Sequence, residues 1–163
     1  RVKTELLIQM DGMAAAQDSS LVMVLGATNH PWDLDDAMRR RLEKRIYIPL
    51  PEEEERMALF KINLRELYVD RDVEFAQLAR MTAGYSGADI SCVCRDATMA
   101  KVRRLIAGKS REELQRLGQR ARIELPVNMS EFVAAVQSTP SSVSPNQVIR
   151  FRKWTEEFGT QAI

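Results

Sequence analysis

Residues 21–51 read LVMVLGATNHPWDLDDAMRRRLEKRIYIPLP, and the succession of textures along this stretch decides the fold class. It opens with an unbroken apolar run over residues 21–27, closed by the turn formers that follow Gly26. A short continuous run of this kind is how a strand buried on both faces reads, as in a parallel sheet. Thr28-Asn29-His30-Pro31 must then leave the sheet, because proline cannot donate to a central ladder. Asp33, Asp35 and Asp36 precede Ala37-Met38-Arg39-Arg40-Arg41-Leu42, a short helix with acid at its start and base at its end. Residues 45–49 read as a second strand, stopped by Pro49 and Pro51. Upstream, Val2, Leu6, Leu7 and Met10 recur at helical spacing until Asp11-Gly12 end the run, and residues 14–20 read as a loop. Helix, strand, helix, strand is an α/β crossover pattern, too short here to be a complete domain.

After Pro51 the texture turns helical. Residues 52–67 carry acids in the first turn of a helix, and residues 75–81 form another. Residues 86–107 form a long third helix, with Ser86-Gly87-Ala88-Asp89 as its start signal. Residues 110–118 add a turn or two, and residues 130–136 a helix with Ser130 near its cap. Residues 138–144 are a Ser/Pro linker, and residues 145–158 an amphipathic final helix. The expected architecture is an α/β fragment over residues 1–51, a small all-α lid-like domain over 52–140, and a C-terminal helix within 141–163.

Composition narrows the function classes. The chain has 163 residues, 45% of them hydrophobic and 29% charged, which supports a buried core and a soluble surface. Net charge is +1, from 24 basic and 23 acidic residues, which argues against a general nucleic-acid or membrane-surface binder. No apolar run approaches the roughly 20 residues of a membrane span. The chain begins at Arg1 without a signal-peptide pattern and reads as a piece of something longer. Cys92 and Cys94 diverge on one helix and the only histidine is His30, so two packed, reduced thiols are expected rather than a disulfide or zinc site.

Single residues taken alone leave alternatives open. Asn29 at the carboxyl edge of a strand lies where α/β proteins place ligands, or is simply a turn former before proline. Arg39, Arg40 and Arg41 cannot all face one core, so one or two must project. A projecting guanidinium suits the charge on a transferring phosphoryl group, or merely complements the helix dipole and Glu43. Two glycines before a helix, Gly84 and Gly87, would let a ligand approach backbone amides, but such starts are common.

Taken together, Gly26-Ala27-Thr28-Asn29-His30-Pro31-Trp32-Asp33-Leu34-Asp35, the block from Arg39-Arg40-Arg41 to Pro51, and Gly84-Tyr85-Ser86-Gly87-Ala88-Asp89-Ile90 resemble the AAA+ ATPases of the meiotic clade. The likeness spans the chain. It implies that Asn29 is the sensor-1 residue positioning the attacking water, and that Arg40 and Arg41 are paired arginine fingers acting on a neighbouring subunit. It implies too that Ile62 and Asn63 lie against adenine and ribose, and that Gly87 and Ala88 form the sensor-2 region. Residues 5–12 resemble the helix that follows the second pore loop. ATP with Mg2+ is the implied cofactor, the metal ligands lying outside this sequence. The Gly-rich Lys-Thr phosphate loop, the acidic Walker-B pair and the aromatic pore loop are absent, so the chain alone is expected to be inactive.

Within the clade, Asn63-Leu64-Arg65-Glu66-Leu67 with Cys92-Val93-Cys94-Arg95-Asp96-Ala97 and the short connection over residues 108–126 look most like the catalytic subunit of katanin. That resemblance implies microtubule severing on tubulin, a homo-hexamer, room for an accessory regulatory subunit, and a cytoplasmic, cytoskeletal location. The alternatives are an ATPase of the vacuolar-sorting type, acting on membrane-scission filaments, and a non-catalytic helical interaction module. Trp154 and Phe158 lie four apart on the last helix, and Trp154 is expected to be buried, whether for packing or for ring assembly. Lys101, Arg103 and Arg104 read as a solvated face.

Overall fold

A computed structural model describes residues 2–15, 23–110 and 126–160. Seven α-helices run through them: α1 (Val2–Ala15), α2 (Asp36–Arg41), α3 (Glu53–Asn63), α4 (Phe75–Met81), α5 (Gly87–Ile106), α6 (Met129–Ser138) and α7 (Pro145–Phe158). None of the described helices is long and apolar enough to cross a membrane. The chain divides into two compact units, Pro49–Pro145 and, separately, Arg1–Ile48 with Asn146–Ile163.

Helices α3, α5 and α6 of the unit Pro49–Pro145 begin where side chains satisfy their first amides. Glu52 and Glu55 form a capping box at α3, Ser86 and Asp89 one at α5, and Asn128 and Glu131 one at α6. Asn128 thus caps α6 in place of the Ser130 that the sequence suggests; the carboxylate three residues on, Glu131, completes a reciprocal pair with Asn128. Helix α3 ends at Asn63 rather than running to Leu67. The apolar faces of α3, α4, α5 and α6 close over Phe60, Leu78, Ile90, Val93, Ala97, Val127 and Phe132, all fully buried. Val69 and Val127 form an isolated parallel bridge, with Asp70 N donating to Val127 O at 2.9 Å and Val127 N to Tyr68 O at 3.0 Å. Arg56 is buried because its charge is spent on carbonyls: Nε donates to Ala79 O at 3.0 Å and an Nη to Pro51 O at 2.6 Å.

Asp89 is the polar hinge-pin of this unit. It is 6% exposed and accepts from Ser86 N at 2.8 Å, Ser86 Oγ at 2.8 Å and Ser142 N at 3.3 Å. Burial by itself would raise its carboxyl, but the Ser86 and Ser142 bonds outweigh that and hold it below the ordinary value of 3.8. A carboxylate depressed in the folded state adds stability at neutral pH that is lost as pH falls below the ordinary value and through the lower folded one. Asp89→Asn is therefore expected to be less stable than wild type by about 1 kcal/mol at pH 7. The gap should close toward pH 3 in urea melts; a gap independent of pH would contradict the assignment.

The second unit holds α1, α2, α7 and the extended residues between them. Helix α1 continues to Ala15, past Asp11-Gly12, because one interior glycine costs only about 1 kcal/mol and Met13, Ala14 and Ala15 are strong helix formers. Of the strand expected over residues 21–27, residues 21 and 22 lie outside the described ones. Residues 23–28 and 42–50 form no strand, since no ladder partner stands beside them among the described residues. Their apolar side chains are correspondingly bare: Met23 is 83% exposed, Leu25 92%, Ile46 83% and Ile48 85%. The loop expected over residues 14–20 falls partly in α1 and otherwise outside the described residues, as does most of the helix expected over 110–118.

Candidate functional site

Asn29 lies on the exposed segment that enters the short turn Pro31–Asp33, where Thr28 Oγ1 accepts from His30 N at 3.0 Å. Helix α2 starts on Asp35, whose carboxylate accepts from Met38 N at 2.9 Å, so the cap is set by the acid the sequence places there. The three arginines of α2 then part company. Arg39 turns inward: it pairs with Asp36, and its guanidinium carbon stands 4.5 Å above the Phe158 ring. Arg41 is exposed and donates to its own helix at Ala37 O, 3.1 Å away. Arg40 is exposed, and no hydrogen bond or ion pair engages it among the described residues. Two outward cations on a short helix match the expectation from residue count alone. No hydrogen bond joins Asn29 to either arginine among the described residues.

Helix α7 supplies the support that sequence reasoning did not find. Phe151 meets Trp32 at 5.0 Å and stacks on Tyr47 at 6.0 Å, and Arg150 lies 3.7 Å over Trp32. Trp154 and Phe158 pack together at 5.5 Å, yet Trp154 is half-buried rather than fully enclosed. Beyond the helix, Arg45 N donates to Thr160 Oγ1 at 3.0 Å and Thr160 N to Arg45 O at 2.9 Å. The only hint in the sequence was helical spacing of aromatics, which does not say what they touch.

The other candidate residues lie together in the unit Pro49–Pro145. Ile62 is 67% exposed at the end of α3. Its neighbour Asn63 donates to Leu59 O at 2.8 Å and accepts from Ser91 Oγ at 3.0 Å, and Ser91 also reaches Gly87 O at 3.0 Å. Ser91, which no motif singled out, thereby links Asn63 to the first turn of α5 that carries Gly87 and exposed Ala88. A Cβ on Gly87 would stand 3.9 Å from the Leu59 side chain, so the glycine is not required by crowding. Gly84 is required, since its φ of 80° lies in the left-handed region.

The remaining candidates are structural. Burial pushes the Cys94 thiol up to about 12, leaving no thiolate for chemistry at neutral pH, and Cys92 accepts from Arg95 at 3.2 Å. No cluster of ligating side chains suits a metal among the described residues. Lys101 does not belong to a solvated face: it is 9% exposed, its stem buried in α5. Arg104 is exposed but reaches Glu131 at 3.4 Å and Pro126 O at 3.3 Å.

Three family models match successive parts of the chain. Residues 1–50 match the model of the ATPase family associated with various cellular activities (AAA), residues 72–116 the AAA+ lid domain, and residues 108–159 the Vps4 C terminal oligomerisation domain. The chain is 51% identical to the A-like 1 form of the katanin p60 ATPase-containing protein of Danio rerio, and 49% identical to that of Homo sapiens, over 98% of its own length. It spans about a third of those relatives, 33% of each. Among solved structures, the FIGL-1 AAA domain in complex with ADP superposes with a TM-score of 0.83 at 32% identity, covering 99% of this chain and 53% of that one. A structure described as the basis for katanin self-assembly gives 0.78 at 35% identity, covering 95% and 52%. The chain belongs to the AAA ATPase family.

Proposed function

We propose that the intact protein is an ATP-dependent, microtubule-severing ATPase of the katanin kind, to which this chain contributes sensor 1 and trans-acting arginine fingers. The identity of 51% to a katanin p60 relative over 98% of the chain carries the reading. In it, Asn29 orients the attacking water. Arg40 and Arg41 reach the nucleotide of a neighbouring subunit in a homo-hexameric ring, where their charge meets that developing on the γ-phosphoryl group. Exposure of both arginines on α2 fits an action outside their own chain. Ile62 and Asn63 meet adenine and ribose, with Gly87 and Ala88 at the sensor-2 position; the exposed Ile62 and the Asn63–Ser91–Gly87 linkage support that placement. ATP is the substrate and Mg2+ its companion, with no ligand for the metal assigned in this chain. Residues 1–51 belong to the large α/β domain, 52–140 to the lid, and 141–163 to the helix that returns to the large domain. Without phosphate loop and Walker-B acids, the chain alone does not turn over ATP. Tubulin is the partner, with room for an accessory regulatory subunit, in the cytoplasm on the cytoskeleton.

Microtubule-stimulated ATPase and filament severing by the full-length protein test the reading. Stimulation with severing is expected. An active ATPase indifferent to microtubules would instead favour action on membrane-scission filaments. No ATPase activity at all would leave a helical interaction module.

A further inference from the structure

Helix α2 is six residues long and buries none of them, so its own packing cannot fix the direction in which Arg40 and Arg41 point. A guanidinium that must meet a phosphoryl group tolerates little misplacement, because an error of about 1 Å costs on the order of a hundredfold in rate. Something outside the helix has to hold it. The inward face carries the Arg39 guanidinium, set between Asp36 and the Phe158 ring. The C-terminal end is tied by Arg45, whose Nη donates to Arg39 O at 2.9 Å. Arg45 is in turn clamped by Thr160 through both its own amide and its carbonyl, and Thr160 Oγ1 reaches Glu43 O at 3.3 Å. The turn between Phe158 and Thr160 is too tight for a side chain: a Cβ on Gly159 would stand 2.5 Å from Thr155 O.

We propose that Phe158 and Thr160 are positioning residues for the arginine pair, coupling the end of α7 to the reach of Arg40 and Arg41. The proposal rests on the reading of those two residues as fingers. It assigns α7 a part in the rate of hydrolysis within an assembled ring, separable from any part in forming one. Phe158 acts through the face of its ring and Thr160 through its hydroxyl, so each has a conservative replacement that retains the acting group.

The test uses the full-length ATPase, with kcat and KM for ATP expressed per assembled ring and assembly followed by sedimentation velocity. Phe158→Leu, which retains bulk and loses the aromatic face, is expected to lower kcat about tenfold with KM changed less than about twofold, and Phe158→Tyr to restore it. Thr160→Val is expected to lower kcat about threefold and Thr160→Ser to restore it. Wild-type kcat per ring in both Phe158→Leu and Thr160→Val overturns the proposal. So does a loss explained wholly by fewer rings, or failure of Phe158→Tyr to restore the rate. Should Phe158→Leu fail to fold, Arg39→Gln removes the cation from the other side of the contact, and wild-type kcat per ring there overturns the proposal equally. Arg40→Ala with Arg41→Ala runs beside these: unchanged hydrolysis in that double variant removes the finger reading itself. Abolished hydrolysis there, with full activity in Phe158→Leu, removes only the positioning role.

Discussion

Arg40→Ala combined with Arg41→Ala is expected to lower ATP hydrolysis by the full-length protein by about 10³-fold or more, with little change in nucleotide affinity. Both side chains are exposed on α2, and neither belongs to a buried core, so their removal should leave the fold intact. The loss is an electrostatic one: charge that develops on the phosphoryl oxygens in the transition state no longer meets a fixed cation. On the proposed trans action of these two arginines, mixing variant with wild-type subunits should depress activity more steeply than the variant fraction. Linear dilution would mean that each subunit completes its own site, and unchanged activity would make both arginines ordinary surface charges.

Phe132→Ala is expected to destabilise the unit Pro49–Pro145 by about 3–5 kcal/mol, the cost of a large aromatic lost from a closed core. Phe132 is fully buried in the cluster that α5 and α6 share with Val127 and Val93. Typical domains hold only about 5–15 kcal/mol in reserve, so the variant should melt far below wild type. Thermal and urea denaturation followed by circular dichroism measure it. A loss under about 1 kcal/mol would mean that α6 does not close this core as described.

The helices were legible where local chemistry decides them. Ser86 with Asp89 three residues on, Asp35 before α2, and Pro145 at the first position of α7 are start signals that act within one turn of backbone, and each helix begins there. The same locality explains the misses. Ser130 and Asn128 are both competent caps, and the choice fell to the residue whose partner, Glu131, could answer it. Lys101 read as a surface charge because its burial depends on what packs across α5, which spacing along one helix does not contain. Ser91 carried no signal of its own because its meaning lies in Asn63, 28 residues away.

From the sequence alone came the AAA ATPase kinship, the α-helical texture after Pro51, and the certainty that three consecutive arginines could not all be buried. Those depend on residue type, order and spacing, which the chain carries wherever it folds. Only the tertiary structure decided which arginine turns inward. Arg39 does so because Phe158 and Asp36 meet it there, while Arg45 and Thr160 hold the end of its helix. The Arg45–Thr160 contact joins residues 115 apart, and no local rule of backbone or propensity encodes it. Likewise residues 23–27 and 45–49 read as strands by composition, but a strand exists only when a neighbour accepts its hydrogen bonds.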